Sequence, residues 1–282
     1  INIEVIDGLK IIISTENTVY NLNCLSTEDY PNINLETVNN PIVLNSSILK
    51  ELFSQTLFAI STQESRPLLT GLNIRINGNV MECVTTDSYR LAKKTIILDA
   101  DYGTYDIVVP GKNIQEFDKI LTDEENVKIN LFSNKLLFEY NGYLFQTSLL
   151  SGQYPNTSNL IPTDFEYILT TNLENFYGAI DRAALLTQNK DKNLINMKTA
   201  GNELVITSFA SEIGKSEESV AISKNNDKDI TISYSAKYML DALKTLNDDE
   251  LIILMNGDSK PIILKNAKDD SLIQLILPIK TY

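Results

Sequence analysis

Polar and apolar positions alternate along most of the chain. Segments 9–13 (LKIII), 19–25 (VYNLNCL), 72–76, 79–85, 127–131, 135–140, 143–149, 203–207, 229–233, 251–255 and 272–277 are short and rich in Ile, Val, Leu, Tyr and Thr. Turn residues bound them, so each predicts a strand. The opening Ile1-Asn2-Ile3-Glu4-Val5 alternates in the same way and reads as an entry into the middle of a domain. Asn-Gly at 77–78 and 141–142, and Asn-Gly-Asp at 256–258, are hairpin-turn signals.

Four stretches change to helical period. Residues 45–60 put Ile48, Leu49, Leu52, Phe53, Leu57 and Ile60 on one stripe behind an Asn/Ser cap. Residues 111–121 line up Ile114, Phe117, Ile120 and Leu121. Residues 172–188 start at Asn172 and align Leu173, Phe176, Tyr177 and Ile180. Residues 235–246 start at Ser235 and align Tyr238, Met239, Ala242, Leu243 and Leu246. One apolar face per helix predicts packing on a sheet, with the other face in water. The polar run 223–228 reads as a mobile loop.

The elements repeat. Helix starts at 45 and 172, and at 111 and 235, lie 127 and 124 residues apart. Tyr30-Pro31-Asn32 returns 124 residues later as Tyr154-Pro155-Asn156, and Gly78-Asn79 returns as Gly201-Asn202. A period near 124 residues is too long for a solenoid and fits tandem domains. Within each repeat the two helices are about 63–66 residues apart, so the repeat is itself a candidate doubled unit. This places domains at 41–162 and 163–282, with 1–40 as the last third of an earlier copy. That copy would lack roughly 85–90 residues, by the same repeat length.

Composition narrows the chemistry. The 282 residues hold no His, no Trp and two Cys, and carry a net charge of −13. Without His there is no His general base, no Ser-His-Asp or Cys-His site and no His ligand. Cys24 and Cys83 are too far apart in sequence for CxxC and too few for a disulfide framework, which fits free thiols in a reducing cytoplasm. No apolar run is long enough to span a membrane. There is no Walker A loop, GxSxG, GxGxxG after a strand or DxDxDG loop, so neither a catalytic residue, a metal site nor a cofactor is expected.

Acidity argues at first against a nucleic-acid partner. The helical stretches differ: Lys50, Lys112, Lys119, Arg182, Lys237 and Lys244 balance Glu51, Glu116, Asp118, Glu174, Asp181 and Asp241. The whole −13 therefore lies elsewhere. Ordinary solvated helix faces with local pairing, as for Asp181 and Arg182, give the same pattern. The residues alone also fit a β-rich tandem-domain interaction or adhesion scaffold with no DNA role, or an enzyme built on Asp87.

Two segments stand out. Arg66-Pro67-Leu68-Leu69-Thr70-Gly71 is followed after one hairpin by Thr85-Thr86-Asp87-Ser88-Tyr89-Arg90-Leu91-Ala92. The chain ends Gln274-Leu275-Ile276-Leu277-Pro278-Ile279-Lys280-Thr281-Tyr282. With Gly152-Gln153-Tyr154-Pro155 and Asp181-Arg182-Ala183-Ala184-Leu185-Leu186, these resemble the beta subunit of bacterial DNA polymerase III, the replicative sliding clamp, in its low-GC Gram-positive form. The resemblance covers the whole chain in register. It implies an α+β fold of tandem DNA-clamp domains, each with two helices packed on antiparallel sheets, built to form a ring.

The resemblance implies a function. Two subunits of three domains pair head to tail around duplex DNA and act in the cytoplasm as a processivity factor. They tether the DNA polymerase III alpha subunit, the clamp loader and other proteins carrying a clamp-binding motif. The family is grouped with DNA-directed DNA polymerases, but this subunit is non-catalytic. The helix lysines and Arg182 would face DNA, few and not base-specific, so that sliding costs little. With a third of the first domain, this chain is expected to be monomeric or to assemble in a non-native way.

Partner peptides, with a Gln and two or three apolar side chains, dock in this family between the second and third domains. Residue by residue, the resemblance places Arg66, Leu69, Thr86, Ser88, Tyr89, Arg90 and Leu91 on the second-domain wall. Pro155, Asn159 and Leu160 come from the interdomain segment. Ser235 and Tyr238 come from a helix, Ser259 and Pro261 from a strand, and Leu275, Ile276, Leu277, Pro278 and Ile279 from the C-terminus. Taken without the resemblance, Leu69, Leu91 and Leu277 read as core positions, and Arg90 as a surface partner of Asp87. Three departures bear on the rim: Tyr89 where His is common, Asn159 where Arg is frequent, and a tail ending Ile-Lys-Thr-Tyr rather than Met-Arg-Leu. Deleting 275–282 is expected to abolish peptide binding and leave the fold intact.

Overall fold

The computed structural model describes residues 1–6, 9–122, 124–187, 193–211 and 213–280. Position 188 of the third predicted helix and residues 281–282 of the C-terminal motif lie outside these.

Residues 1–36 form one compact unit and residues 37–282 another. The first holds an antiparallel sheet, β1 (Asn2–Ile6), β2 (Lys10–Ser14) and β3 (Val19–Asn23), in that order. Tyr20, Leu22 and Tyr30 in this unit are exposed.

The second unit is one pattern used four times: a strand, a helix and three strands. Its copies begin at 42, 104, 167 and 231. The first is β4 (Ile42–Asn45), α1 (Ser46–Thr56), β5 (Gly71–Asn77), β6 (Val80–Thr86) and β7 (Arg90–Ile97). The second is β8 (Thr104–Pro110), α2 (Gly111–Asp118), β9 (Asn126–Leu131), β10 (Lys135–Tyr140) and β11 (Tyr143–Ser148). The third is β12 (Tyr167–Asn172), α3 (Leu173–Ala184), β13 (Leu194–Ala200), β14 (Glu203–Ala210) and β15 (Gly214–Ala221), followed by the short β16 (Ser223–Lys224). The fourth is β17 (Thr231–Ser235), α4 (Ala236–Leu243), β18 (Glu250–Met255), β19 (Ile262–Asn266) and β20 (Leu272–Ile276). The doubled unit expected from helix spacing is thus present.

Local chemistry sets the element ends. Asn45, Asn172 and Ser235 cap α1, α3 and α4 with side-chain oxygens that accept backbone N–H groups of the first turn. Between β10 and β11, Asn141 and Gly142 both have positive φ, at 46° and 79°, as a tight hairpin of this hand requires.

The first strand of each copy leaves its own unit. β4 pairs with β9 and β8 with β5, so the first two copies complete each other's sheets. β12 pairs with β18 and β17 with β13 in the same manner. α1 touches α2, and α3 touches α4. Leu49, Leu52, Phe53, Ile114 and Phe117 are buried in one core, and Phe176, Ile180, Met239 and Leu243 in another. Burying such a side chain contributes about 1.5–3 kcal/mol.

β20 then pairs antiparallel with β7, Leu275 opposite Leu91 and Ile276 opposite Arg90. This makes one sheet of nine strands across both halves. Under the seam lies a third buried cluster that includes Leu69, Leu91, Tyr154, Leu254 and Leu275. Polar groups also cross it. Gln274 Nε2 donates to Gln55 O across the seam and to Thr245 Oγ1 within its own half, each at 2.9 Å. Lys94 Nζ lies 3.3 Å from Glu51 and 3.5 Å from Asp269.

Several expectations need correction. Ile48 is exposed because it sits at the edge of the α1 stripe formed by Leu49, Leu52 and Phe53, and Ile120 because α2 ends at Asp118, before it. The run 223–228 is not wholly a loop: it opens with β16 and is hydrogen-bonded back to the residues around β12. Its Asn225 and Asn226 amides donate to Glu166 O, Asn225 Oδ1 accepts from Ile168 N, and Lys228 pairs with Glu166 at 2.7 Å. Deleting 275–282 would not leave the fold intact, since Leu275 and Ile276 are buried sheet residues.

Candidate functional site

The site starts from a turn. Between β6 and β7, Thr86 Oγ1 accepts from Ser88 N at 3.1 Å and donates to Arg90 O at 2.6 Å. Asp87 Oδ1 accepts from the Tyr89 and Arg90 amides at 2.9 and 3.0 Å. Ser88 takes φ 80°, and Arg66 Nη1 donates to its hydroxyl at 2.9 Å. The knot throws the Tyr89 ring outward, 59 % exposed.

Opposite stands the start of α4. Ser235 ends β17 and caps the helix, its hydroxyl accepting from Tyr238 N at 3.4 Å. Tyr238 is half-buried. Burial, then the nearby Asp87 carboxylate, push its hydroxyl above the ordinary pKa.

The chain after β20 closes the site. Leu277 N donates to Tyr89 O at 2.9 Å, and Ile279 N donates to Ser233 O at 2.7 Å. The tail is thereby stitched to both halves. Tyr89, Asn193, Ser235, Lys237, Tyr238, Leu277, Pro278 and Ile279 line a groove of about 730 Å³. Two aromatic rings and three apolar tail residues can bury apolar side chains, and Ser235, Asn193 and Lys237 can orient an extended chain.

Six of the residues expected at the pocket line this groove: Tyr89, Ser235, Tyr238, Leu277, Pro278 and Ile279. Arg66, Thr86, Ser88 and Arg90 build the turn behind it. Leu69, Leu91 and Leu275 lie in the buried seam cluster, and Ile276 in the core under α4. Leu277 is not a core residue; it is 37 % exposed and faces the groove. Pro155, Asn159, Leu160, Ser259 and Pro261 are not among the lining residues. Ser259 and Pro261 occupy the connection between β18 and β19 rather than a strand. Ser235 belongs to a strand end rather than to the helix proper. Asn193 was unforeseen; it holds φ 41°, which Asn tolerates, in a polar stretch without sequence pattern.

Arg90 is not a surface partner of Asp87 alone. Its side chain is 10 % exposed and also reaches Asp241 at 2.7 Å. The reason is its place on β7 at the seam, where α4 folds over it.

The six basic candidates divide. Arg182 pairs with Glu218 on β15 at 2.7 Å rather than within its helix, and Lys119 with Glu116 at 2.6 Å. Lys112 lies 3.9 Å from Glu64, and Lys50 Nζ reaches Leu121 O at 3.4 Å. Lys237 and Lys244 are exposed and in no ion pair among the described residues. Lys119 and Lys244 sit at the C-caps of α2 and α4, where a cation suits the helix dipole. The charge balance read over the longer stretches rests on these two caps.

Tandem copies of this unit, fused through one sheet with a groove at the seam, define a DNA-clamp fold. Residues 43–156 match the family model for the central domain of the DNA polymerase III beta subunit, and 158–280 that for its C-terminal domain. A beta sliding clamp of Staphylococcus epidermidis is 39% identical over 278 residues, 98% of this chain and 74% of the relative. One from Staphylococcus aureus is 38% identical over 277 residues, with the same shares. The DNA polymerase sliding clamp of Bacillus subtilis superposes with TM-score 0.93 at 36% identity, covering 99% of this chain and 74% of that one. The beta chain of DNA polymerase III from Streptococcus pneumoniae gives 0.90 at 32%, covering 99% and 75%. The chain belongs to the beta sliding clamp family, the beta subunits of DNA polymerase III. This membership favours the clamp reading over the adhesion scaffold.

Proposed function

We propose that this protein is a replicative processivity factor that tethers polymerase and other replication or repair proteins to duplex DNA by holding their peptide motifs in the seam groove. The observation that carries the reading is the groove itself, walled by Tyr89 and Tyr238 and closed by the stitched tail. Its tail wall is held by the protein's own hydrogen bonds, from Leu277 N to Tyr89 O and from Ile279 N to Ser233 O, and such preorganisation lowers the ordering cost of binding a short peptide. The motif's apolar side chains enter between the tyrosines and Leu277, Pro278 and Ile279. The remaining expected positions act from behind: Arg66, Thr86, Ser88 and Arg90 shape the turn, and Leu69, Leu91, Leu275 and Ile276 support it. Pro155, Asn159 and Leu160, from the interdomain segment, and Ser259 and Pro261, from the β18–β19 connection, are further peptide contacts in the same reading.

In this reading residues 41–162 and 163–282 are the second and third clamp domains, and 1–40 belong to the first. The protein works in the cytoplasm, with no catalysis, cofactor or metal of its own. Retention on DNA is topological, and a tethered polymerase rebinds at raised effective concentration. Head-to-tail pairing of two subunits finds support in two different sheet edges. β3 is outermost in its sheet, with Tyr20 and Leu22 exposed, and β15 is outermost in another, beside the exposed Phe209.

The test is binding of a fluorescent Gln-Leu-x-Leu-Phe-type peptide, followed by anisotropy. Wild-type protein should bind it saturably, and Tyr238→Ala should weaken binding at least about tenfold, as loss of a central aromatic anchor does. Equal binding by the two proteins would remove the groove assignment.

A further inference from the structure

The Arg90 guanidinium is almost fully committed. Its Nε donates to Asp87 Oδ2 at 3.0 Å, Nη1 to Asp241 Oδ2 at 2.7 Å and Nη2 to Phe58 O at 2.7 Å. Its carbon lies 5.2 Å from the centre of the Phe58 ring and 4.6 Å from that of Tyr238. Both distances are within cation–π range. An arginine held in this way has little left to offer a peptide. Its work is to bind three pieces of protein together.

Those pieces come from different parts of the chain. Phe58 follows α1, Asp87 and Arg90 flank the turn into β7, and Tyr238 and Asp241 lie on α4. Asp87 serves its own turn as well, accepting two backbone amides there. Asp241 is the carboxylate that reaches Arg90 from the other side of the seam. Tyr238 and Asp241 are three residues apart and share a helix face. The helix therefore holds the guanidinium at two points, with a ring against its π-system and a carboxylate at its edge.

We propose that Asp241, which is not among the residues lining the groove, is a positioning residue for peptide binding: by fixing Arg90 it holds the Tyr238 ring as a groove wall. This rests on the peptide-tethering reading above. Without the carboxylate, Arg90 keeps Asp87 and Phe58 O, but α4 loses its charged hold on the turn. The Tyr238 ring then has one fewer constraint and samples orientations that narrow the groove. Overall stability should change little, because the β7–β20 pairing and the buried seam cluster still join the halves.

The experiment uses Asp241→Ala and the near-isosteric Asp241→Asn, with 3-fluorotyrosine placed at position 238. Peptide affinity is read by anisotropy, ring environment by 19F NMR of the free protein, and stability by thermal unfolding. The Ala variant should bind about tenfold more weakly, equal to about 1.4 kcal/mol, and the Asn variant by an intermediate amount. The 19F signal should shift and broaden in both, with the unfolding midpoint nearly unmoved. An unshifted 19F signal in Asp241→Ala overturns the proposal. So does an affinity loss that merely follows a fallen midpoint and vanishes on cooling. Should the wild-type protein fail to bind peptide, the tethering reading falls instead, and the 19F comparison still decides whether Asp241 sets the ring.

Discussion

The amide of Leu277 donates to the carbonyl of Tyr89 at 2.9 Å, so the last segment of the chain is hydrogen-bonded to a turn almost 190 residues before it. Two positions later Ile279 makes the matching bond to Ser233. A stop after Leu277 keeps the first bond and the buried β20, and removes Pro278 and Ile279 from the groove. Peptide affinity should fall at least about tenfold, or about 1.4 kcal/mol. The thermal midpoint should stay near that of the full chain. Anisotropy and calorimetry on the same samples check both halves of this expectation.

Gln274 is fully buried; its Nε2 donates to Gln55 O across the seam and to Thr245 Oγ1 within its own half. Gln274→Leu fills a similar volume but leaves those acceptors without a donor. Leu also removes Gln274 Oε1, which is buried without a hydrogen-bond partner, so the expected net loss is about 1 kcal/mol, the low end of the penalty for an unsatisfied buried polar group. Urea unfolding should show a lower midpoint with an unchanged slope. A neutral result would mean that water reaches the seam.

Burial pushes the Cys83 thiol from 9.0 up to about 12, with Glu82 adding to the shift. In the unfolded chain the thiol ionises near its ordinary value, so alkali favours unfolding. The stabilisation is intact below pH 9 and is lost as pH rises toward 12, at about 1.4 kcal/mol per pH unit. Burial raises the Tyr154 and Tyr234 hydroxyls too, which steepens the loss above their ordinary 10.0. Cys83→Ala should flatten the stability curve between pH 9 and 10, measured by urea midpoints across that range. In native protein at pH 8, Cys83 should resist thiol reagents.

Lys237 and Lys244 flank Asp241 along α4, and Asp241 is already matched by Arg90. Among the described residues neither lysine is in an ion pair, whereas Arg182 and Lys119 spend their charge on carboxylates, so the charge of Lys244, and of Lys237 at the groove edge, is expected to be open to an outside anion. Lys237→Ala with Lys244→Ala should weaken duplex binding at low salt more than Arg182→Ala does. The slope of log affinity against log salt should drop by about 2, near 0.9 for each lost phosphate contact. Equal effects of the two variants would place the DNA contact elsewhere.

Much of this was legible from residue pattern. Helix caps at Asn45, Asn172 and Ser235 are local chemistry, and the stripes through Phe53, Phe117, Phe176 and Met239 follow from helical period. The half-repeat was visible in helix spacing. Missed strands such as Arg90–Ile97 and Gly214–Ala221 each carry three charged residues that break their apolar pattern. Their strand state comes from neighbours rather than from alternation. The groove was only half legible. Tyr89 and the tail stand in motifs, but Asn193 and Asp241 acquire their roles from what folds beside them. Arg90 shows the limit most clearly: its link to Asp87 is readable at three residues' spacing, its link to Asp241 is not.

The nine-stranded sheet does not respect the division by which the chain's relatives are catalogued. One family model stops at residue 156 and the next starts at 158, yet β7 and β20 are hydrogen-bonded neighbours on either side of that line. The two stretches match separate family models, while the fold joins them in one sheet. A protease cut in the connecting segment 156–163 would thus yield two polypeptides that remain one particle, with the groove still present at the weld.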